Sequence, residues 1–136
     1  MSEARPVVLF VCVHNSGRSV AARLLTEHYA QGAVEARSAG SEPKGSVNPV
    51  VAEVLNKRGL STASEVPTKL DPDTVQQAEV VITMGCGETC PVFPGKRYED
   101  WTVDDPAGQD IAIVRRIVDD IDGRVRKLLE ELGVTA

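Results

Sequence analysis

The sequence predicts an α/β fold in three layers, with helices on both faces of a four-stranded parallel sheet. Three observations carry that prediction. Val7-Val8-Leu9-Phe10-Val11-Cys12 is an unbroken apolar, largely β-branched run, the mark of a strand buried on both faces. Strand-like and helix-like segments then alternate along the chain, as parallel pairing through helical crossovers requires. Near the C-terminus Val114, Ile117, Val118, Ile121, Val125, Leu128, Leu129 and Leu132 recur at helical intervals, giving one apolar stripe.

The elements follow in order. After the first strand a polar loop, His14 to Arg18, leads into a helix predicted over Ser19 to Ala30, with Ala21, Leu24, Leu25 and His28 or Tyr29 on one face. Val34 to Gly40 reads as the second strand, ending in glycine. Asn48-Pro49 starts a second helix, with Asn as N-cap and Pro in the first turn. Val51, Val54 and Leu55 supply its apolar side, and Gly59 stops it. Asp71-Pro72 repeats the start signal for a short helix ending near Ala78. Glu79 to Met84 is the third strand and Lys96 to Trp101 the fourth. In the last helix Arg115, Arg116, Asp119, Asp120, Arg124, Arg126, Glu130 and Glu131 read as a solvated face. Residues 1–136 are read as one domain, since no repeat, low-complexity tract or long linker divides them.

The net charge of −5 argues against a nucleic-acid or anionic-membrane binder, so any anion must be held by a local device. The apolar run from Val7 to Val13 is too short to span a membrane, and no cleavage pattern follows it. Three cysteines do not make a secreted disulfide framework. The expected setting is the cytoplasm, where such cysteines are reactive or metal-binding.

Cys12-Val13-His14-Asn15-Ser16-Gly17-Arg18-Ser19 places a cysteine, five residues, an arginine and a serine where a buried strand turns into a helix. A short loop there can curl so that successive N–H groups form an anion nest. The helix start adds unsatisfied N–H groups and a partial positive charge, and Arg18 adds a planar fork of donors. Asn15 and Gly17 are expected to supply the positive φ that such curling needs. The same field stabilises a thiolate at Cys12. Val13 to Ser19 are thus the expected oxyanion-binding residues, with His14 facing solvent or a neighbouring loop. No Gly-Lys-Ser/Thr occurs, so this is not a Walker loop.

Displacing an oxygen from a tetrahedral oxyanion needs a proton donor. Asp104-Asp105-Pro106-Ala107-Gly108 can hold a carboxyl over the nest, its proline and glycine fixing the turn. The residues alone leave Asp104 and Asp105 as rivals for that role.

With these two segments in view, the chain resembles the low-molecular-weight protein tyrosine phosphatase superfamily, and within it the arsenate reductase branch, from about Val7 to Leu132. The resemblance implies a four-stranded parallel sheet with flanking helices. It also implies Cys12 as catalytic nucleophile, Arg18 as oxyanion ligand and Asp105, the aspartate directly before proline, as the acid. Asn15 and Ser19 match the motif position by position, and Ser19 is expected to hydrogen-bond the Cys12 thiolate. In the superfamily's tyrosine phosphatases an aromatic follows the Asp-Pro pair and lines the slot for the phenol ring. Ala107 stands there, which favours a small inorganic oxyanion.

Met84-Gly85-Cys86-Gly87-Glu88-Thr89-Cys90-Pro91 follows the third strand. Cys86 and Cys90 could be resolving thiols, zinc ligands or bystanders. Zinc would need about four ligands, drawing in Cys12 and a histidine and silencing the nucleophile; no metal is expected. Thioredoxin-coupled members of the superfamily use two further cysteines in this region, but Gly85 occupies the place of the first and the spacing to Cys90 is shorter. The pattern looks more like the actinobacterial members that use mycothiol and a mycoredoxin. The expected function is therefore arsenate reduction by a monomer that carries no bound cofactor. Its reductant would be an external thiol, mycothiol with its redoxin being favoured over thioredoxin. The rivals are a tyrosine phosphatase, in which water discharges a phosphocysteine, and a non-enzymatic oxyanion-binding module.

Overall fold

The computed structural model describes residues 6–63, 65–84 and 96–134. Its elements run β1 (Val7–Cys12), α1 (Arg18–Ala30), β2 (Glu35–Gly40), α2 (Pro49–Lys57), α3 (Pro72–Gln77), β3 (Val80–Met84), β4 (Arg97–Asp100) and α4 (Ile111–Glu131). The four strands form one sheet in the order β2-β1-β3-β4, every pair parallel. Cys12, at the end of β1, is in register with Gly40 of β2 and Met84 of β3. The chain leaves β1 toward one neighbour and returns to the other. The carboxyl end of β1 is therefore the switch point of the sheet, where open α/β folds hold their ligands.

Side-chain alternation along β1 sorts the core into two layers. Val8, Phe10 and Cys12 face the layer built from α1, α2 and α4, while Leu9 and Val11 face a smaller cluster with Val75 of α3. Helices do cover both faces, but unequally, and Cys12 lies on the more heavily covered side. Phe10 is fully buried and its ring tilts against Trp101 at 5.8 Å between centroids. Losing it to alanine would cost ~3–5 kcal/mol.

The local start signals act as anticipated. Asn48 Oδ1 accepts from the N–H of Val50 at 2.9 Å, with Pro49 in the first turn, and Asp71 Oδ1 accepts from Asp73 N–H at 2.7 Å. In α1 the buried side includes Val20, Ala21, Ala22, Leu25 and Ala30, and of the pair His28 or Tyr29 it is Tyr29 that packs half-buried against the core, while His28 is exposed. In α4 the apolar stripe is buried as its period requires, and Asp122 is buried with it. Among the described residues no helix is long and apolar enough to cross a membrane.

Candidate functional site

The loop after β1 is shaped by the segment that follows β2. The N–H groups of Ser41, Glu42, Lys44 and Asn48 donate to the carbonyls of Cys12, Val13, His14 and Ser16 at 2.7–3.2 Å. A trans peptide points the C=O of one residue and the N–H of the next in opposite directions, and no cis bond occurs among the described residues. The N–H groups of Val13, His14, Asn15 and Gly17 are therefore turned away from that segment, toward the inside of the curl. No side chain caps the N-terminus of α1, so its first-turn N–H groups are not taken up by a capping side chain.

Asn15 is the hub of the loop. It is fully buried and adopts φ 49°, the left-handed conformation expected for it. Its Oδ1 accepts from Thr68 N–H at 2.8 Å, which fixes the amide's orientation, and its Nδ2 then donates to Ser19 Oγ at 2.7 Å. Because the amide nitrogen can only donate, the Ser19 oxygen is the acceptor in that bond. Its own O–H is free to donate to Cys12 Sγ, 3.0 Å away, and is the donor of that bond when the sulfur is a thiolate, which can only accept. One chain of hydrogen bonds thus runs from the Thr68 backbone to the sulfur, in buried surroundings where such bonds are strong.

Two glycines let this loop pack, and neither does so by its φ. Gly17 was expected at positive φ and adopts −144°. What it supplies is space, since a Cβ there would stand 2.8 Å from Pro106 Cγ. A Cβ on Gly40 would stand 2.7 Å from the Val13 carbonyl oxygen and 2.9 Å from Asn15 N, backbone atoms that cannot swing aside. Gly40 is in turn bracketed by Thr68 and Leu70, its N–H on Thr68 O and its C=O on Leu70 N–H, both at 2.8 Å.

The lip of the loop holds the charged groups. The Arg18 side chain is only 10% exposed and donates through Nη1 to the Val103 carbonyl at 3.3 Å. Its Nη2 lies 3.9 Å from Asp105 Oδ2, an ion pair longer than a hydrogen bond. Asp105 Oδ1 accepts from Ala107 N–H at 3.0 Å, an Asx turn across Pro106. The structure separates the two neighbouring acids, because Asp105 lines the cleft and Asp104 does not. His14 turns to the neighbouring loop, with Nδ1–H donating to the Glu42 carbonyl at 3.1 Å.

Together these residues line a cleft of about 590 Å³, with Cys12 on its floor and Arg18, Lys44, Val47, Asp105 and Ala107 around it. Among the described residues no phenylalanine, tyrosine or tryptophan lines it. Cys86 and Cys90 lie outside the described residues. Within those residues no three histidine, cysteine or carboxylate side chains gather where they could hold a metal ion. Sequence reasoning missed Thr68, Val103 and the 41–48 segment, because nothing local marks a residue whose partner is 53 or 85 positions away. Gly40 had a signal, a glycine at the carboxyl end of a strand. Chemically, the arrangement offers inward amides, a guanidinium, a sulfur with a hydroxyl donor and a carboxyl at the rim. That set suits attack of sulfur on a tetrahedral oxyanion.

Known proteins resemble the chain over most of its length. A thioredoxin-dependent arsenate reductase of Corynebacterium glutamicum is 43% identical, with TM-score 0.87; the match covers 98% of this chain and 64% of that one. An arsenate reductase of Archaeoglobus fulgidus is 36% identical, with TM-score 0.78, over 90% of this chain and 98% of that one. Arsenate reductase 1 of Bacillus cereus is 32% identical over 133 residues, 94% of this chain and 97% of its own. The pattern of the low molecular weight phosphotyrosine protein phosphatase family matches residues 7–135. With that match, and with the sheet order and strand-to-helix loop described above, the chain belongs to the low molecular weight phosphotyrosine protein phosphatase family.

Proposed function

We propose that the protein is an arsenate reductase in which Cys12 is the nucleophile, Arg18 and the amides of Val13 to Ser19 hold the oxyanion, and Asp105 is the proton donor. The observation that carries this reading is the Asn15–Ser19–Cys12 relay, which supplies a hydroxyl donor to the sulfur at the switch point of the sheet. The arsenate reductases among its relatives support it.

In the first step the Cys12 thiolate attacks arsenic. A sulfur–arsenic bond forms, the bond from arsenic to one of its hydroxyl groups breaks, and that hydroxyl takes the Asp105 proton and leaves as water. The amides and Arg18 neutralise the charge on the remaining oxygens. In the second step a thiolate attacks the Cys12 sulfur. A disulfide forms, the sulfur–arsenic bond breaks, and its electron pair stays on arsenic, which leaves as arsenite. Two thiols are oxidised as arsenic(V) becomes arsenic(III). The cleft is far larger than one oxyanion needs, and the excess leaves room for the second thiol. With Ala107 after Pro106, and no phenylalanine, tyrosine or tryptophan among the lining residues, the cleft has no aromatic wall to hold a phenol ring, which favours arsenate over phosphotyrosine.

The reductant in this reading is an external thiol, acting on a monomer in the cytoplasm, where such reductants are regenerated. The mycothiol expectation finds no support among the relatives, and the Corynebacterium protein is described as thioredoxin-dependent. That protein is longer, the present chain spanning 64% of it, so the comparison leaves the choice to experiment.

Arsenite release is measured with arsenate plus thioredoxin and its reductase, or plus mycothiol and a mycoredoxin. Wild type turns over with one of them, Cys12→Ser with neither, and intact-protein mass shows a Cys12 thiol adduct or disulfide. Hydrolysis of aryl phosphates without arsenite release in any thiol system would reassign the site as a phosphatase. Oxyanion binding with neither activity would make it a binding module. Full turnover by both Cys86→Ser and Cys90→Ser would exclude an internal relay.

A further inference from the structure

We infer that Gly17 is a positioning residue for Asp105: its missing side chain is the socket in which Pro106 seats, and that seating sets how closely the carboxyl approaches the oxyanion. The inference rests on the reading of Asp105 as proton donor. Asp105 itself is poorly tied, since one oxygen is held only within its own turn and the other lies 3.9 Å from Arg18. At that distance, and with its carboxylate half exposed, the pair contributes little to fixing a loop. Of residues 104–109 only Pro106 is buried. The loop is therefore docked onto the nest through the proline ring.

The ring meets Gly17 closely. A Cβ at position 17 would lie 2.8 Å from Pro106 Cγ, 3.8 Å from its Cδ and 3.5 Å from Val51 Cγ2. Carbon atoms pack at ~3.5 Å or more, so the closest contact falls about 0.7 Å short. A proline ring can change its pucker but cannot rotate away, because it is closed onto its own backbone. A side chain at 17 therefore presses on the turn that carries Asp105. The φ of Gly17, −144°, is not in the left-handed region, and the close approach of Pro106 is a demand the position makes on its own. Its N–H, which faces the oxyanion, survives substitution by alanine.

The test compares Gly17→Ala, Pro106→Ala, their double variant and Asp105→Asn for arsenate turnover and for inorganic phosphate affinity by calorimetry. Gly17→Ala lowers turnover by roughly 10- to 100-fold, the scale of an ångström-size misplacement, with phosphate affinity kept within about twofold. In the Pro106→Ala background, where no Cγ stands in the way, the same substitution changes turnover by less than about twofold. An equal loss in both backgrounds, or affinity falling in parallel with turnover, would overturn the inference. So would slow turnover by Asp105→Asn beside wild-type turnover by Gly17→Ala, and that result would leave the donor reading intact. Wild-type turnover by Asp105→Asn would sink the donor reading and the inference with it. Should Gly17→Ala fail to fold, Pro106→Ala decides alone: emptying the socket lowers turnover at unchanged phosphate affinity, and wild-type turnover there overturns the inference.

Discussion

At the residue scale the chemistry depends on a few polar atoms whose roles are fixed by donor and acceptor arithmetic. Thr68 N–H can only donate, which orients the Asn15 amide and makes Ser19 Oγ an acceptor from it; a thiolate at Cys12 can only accept, so the Ser19 proton then goes to the sulfur. Hydrogen bonds to charged groups contribute ~1.5–3 kcal/mol. Ser19→Ala should therefore slow iodoacetamide alkylation of Cys12 at neutral pH by roughly tenfold or more, a tenfold change corresponding to ~1.4 kcal/mol. The measurement is made with Cys86 and Cys90 replaced by serine so that Cys12 is the reporter. Unchanged alkylation would show that the hydroxyl donates elsewhere. Of the residues the sequence singles out, Cys12, Arg18 and Asp105 line the cleft, and Asn15 and Ser19 are fully buried and hydrogen-bonded behind the sulfur. Gly17 was singled out for the wrong physical reason. Its φ is ordinary, and what the position lacks is room for a side chain beside Pro106.

At the element scale the helices were legible from caps and periodicity, but their polar seams were not. The period of α4 places residue 122 on the same face as Val118 and Val125, and there Asp122 is 8% exposed. Two of its partners come from elsewhere: the Tyr29 hydroxyl of α1 donates to Oδ2 at 2.9 Å and Arg58 lies 3.8 Å from the same oxygen, while Arg126 Nε, one turn on in α4, lies 2.8 Å from Oδ1. Burial raises the Tyr29 phenol above its ordinary value of 10.0, and the hydrogen bond to Asp122 and that carboxylate's charge push the same way, against Arg126 and Arg58. The folded chain then holds the phenolic proton more tightly than the unfolded chain. The resulting stability is fully present below the ordinary phenol pKa and is lost as pH rises through the raised one. Chemical denaturation of wild type and Tyr29→Phe across the alkaline range should show the wild-type advantage shrinking there. An advantage that stays constant through that range would mean the phenol is not perturbed by folding.

At the scale of the whole molecule, the oxyanion site exists only when distant segments meet, so ligand binding and folding are linked. An oxyanion that binds the folded chain alone stabilises it by ~2.7 kcal/mol at a hundred times its Kd. Tm should rise by several degrees with saturating phosphate, and Arg18→Ala should lose most of that rise. An equal rise in Arg18→Ala would place the anion elsewhere. By itself the sequence determined the order of strands and helices, the two-sided burial of β1 and the residues offered by the strand-to-helix loop. Apolar periodicity, caps and turn chemistry act over a few neighbouring positions, and a linear reading sees them. Only the tertiary structure decided which way the loop's amides face, which partner orients Asn15, and how the Asp105 turn seats on Gly17. Those outcomes depend on the 41–48 segment, Thr68 and Pro106 arriving from remote parts of the chain. A contact between groups so far apart is set by the packing of the whole sheet and its helices, and no local pattern encodes it.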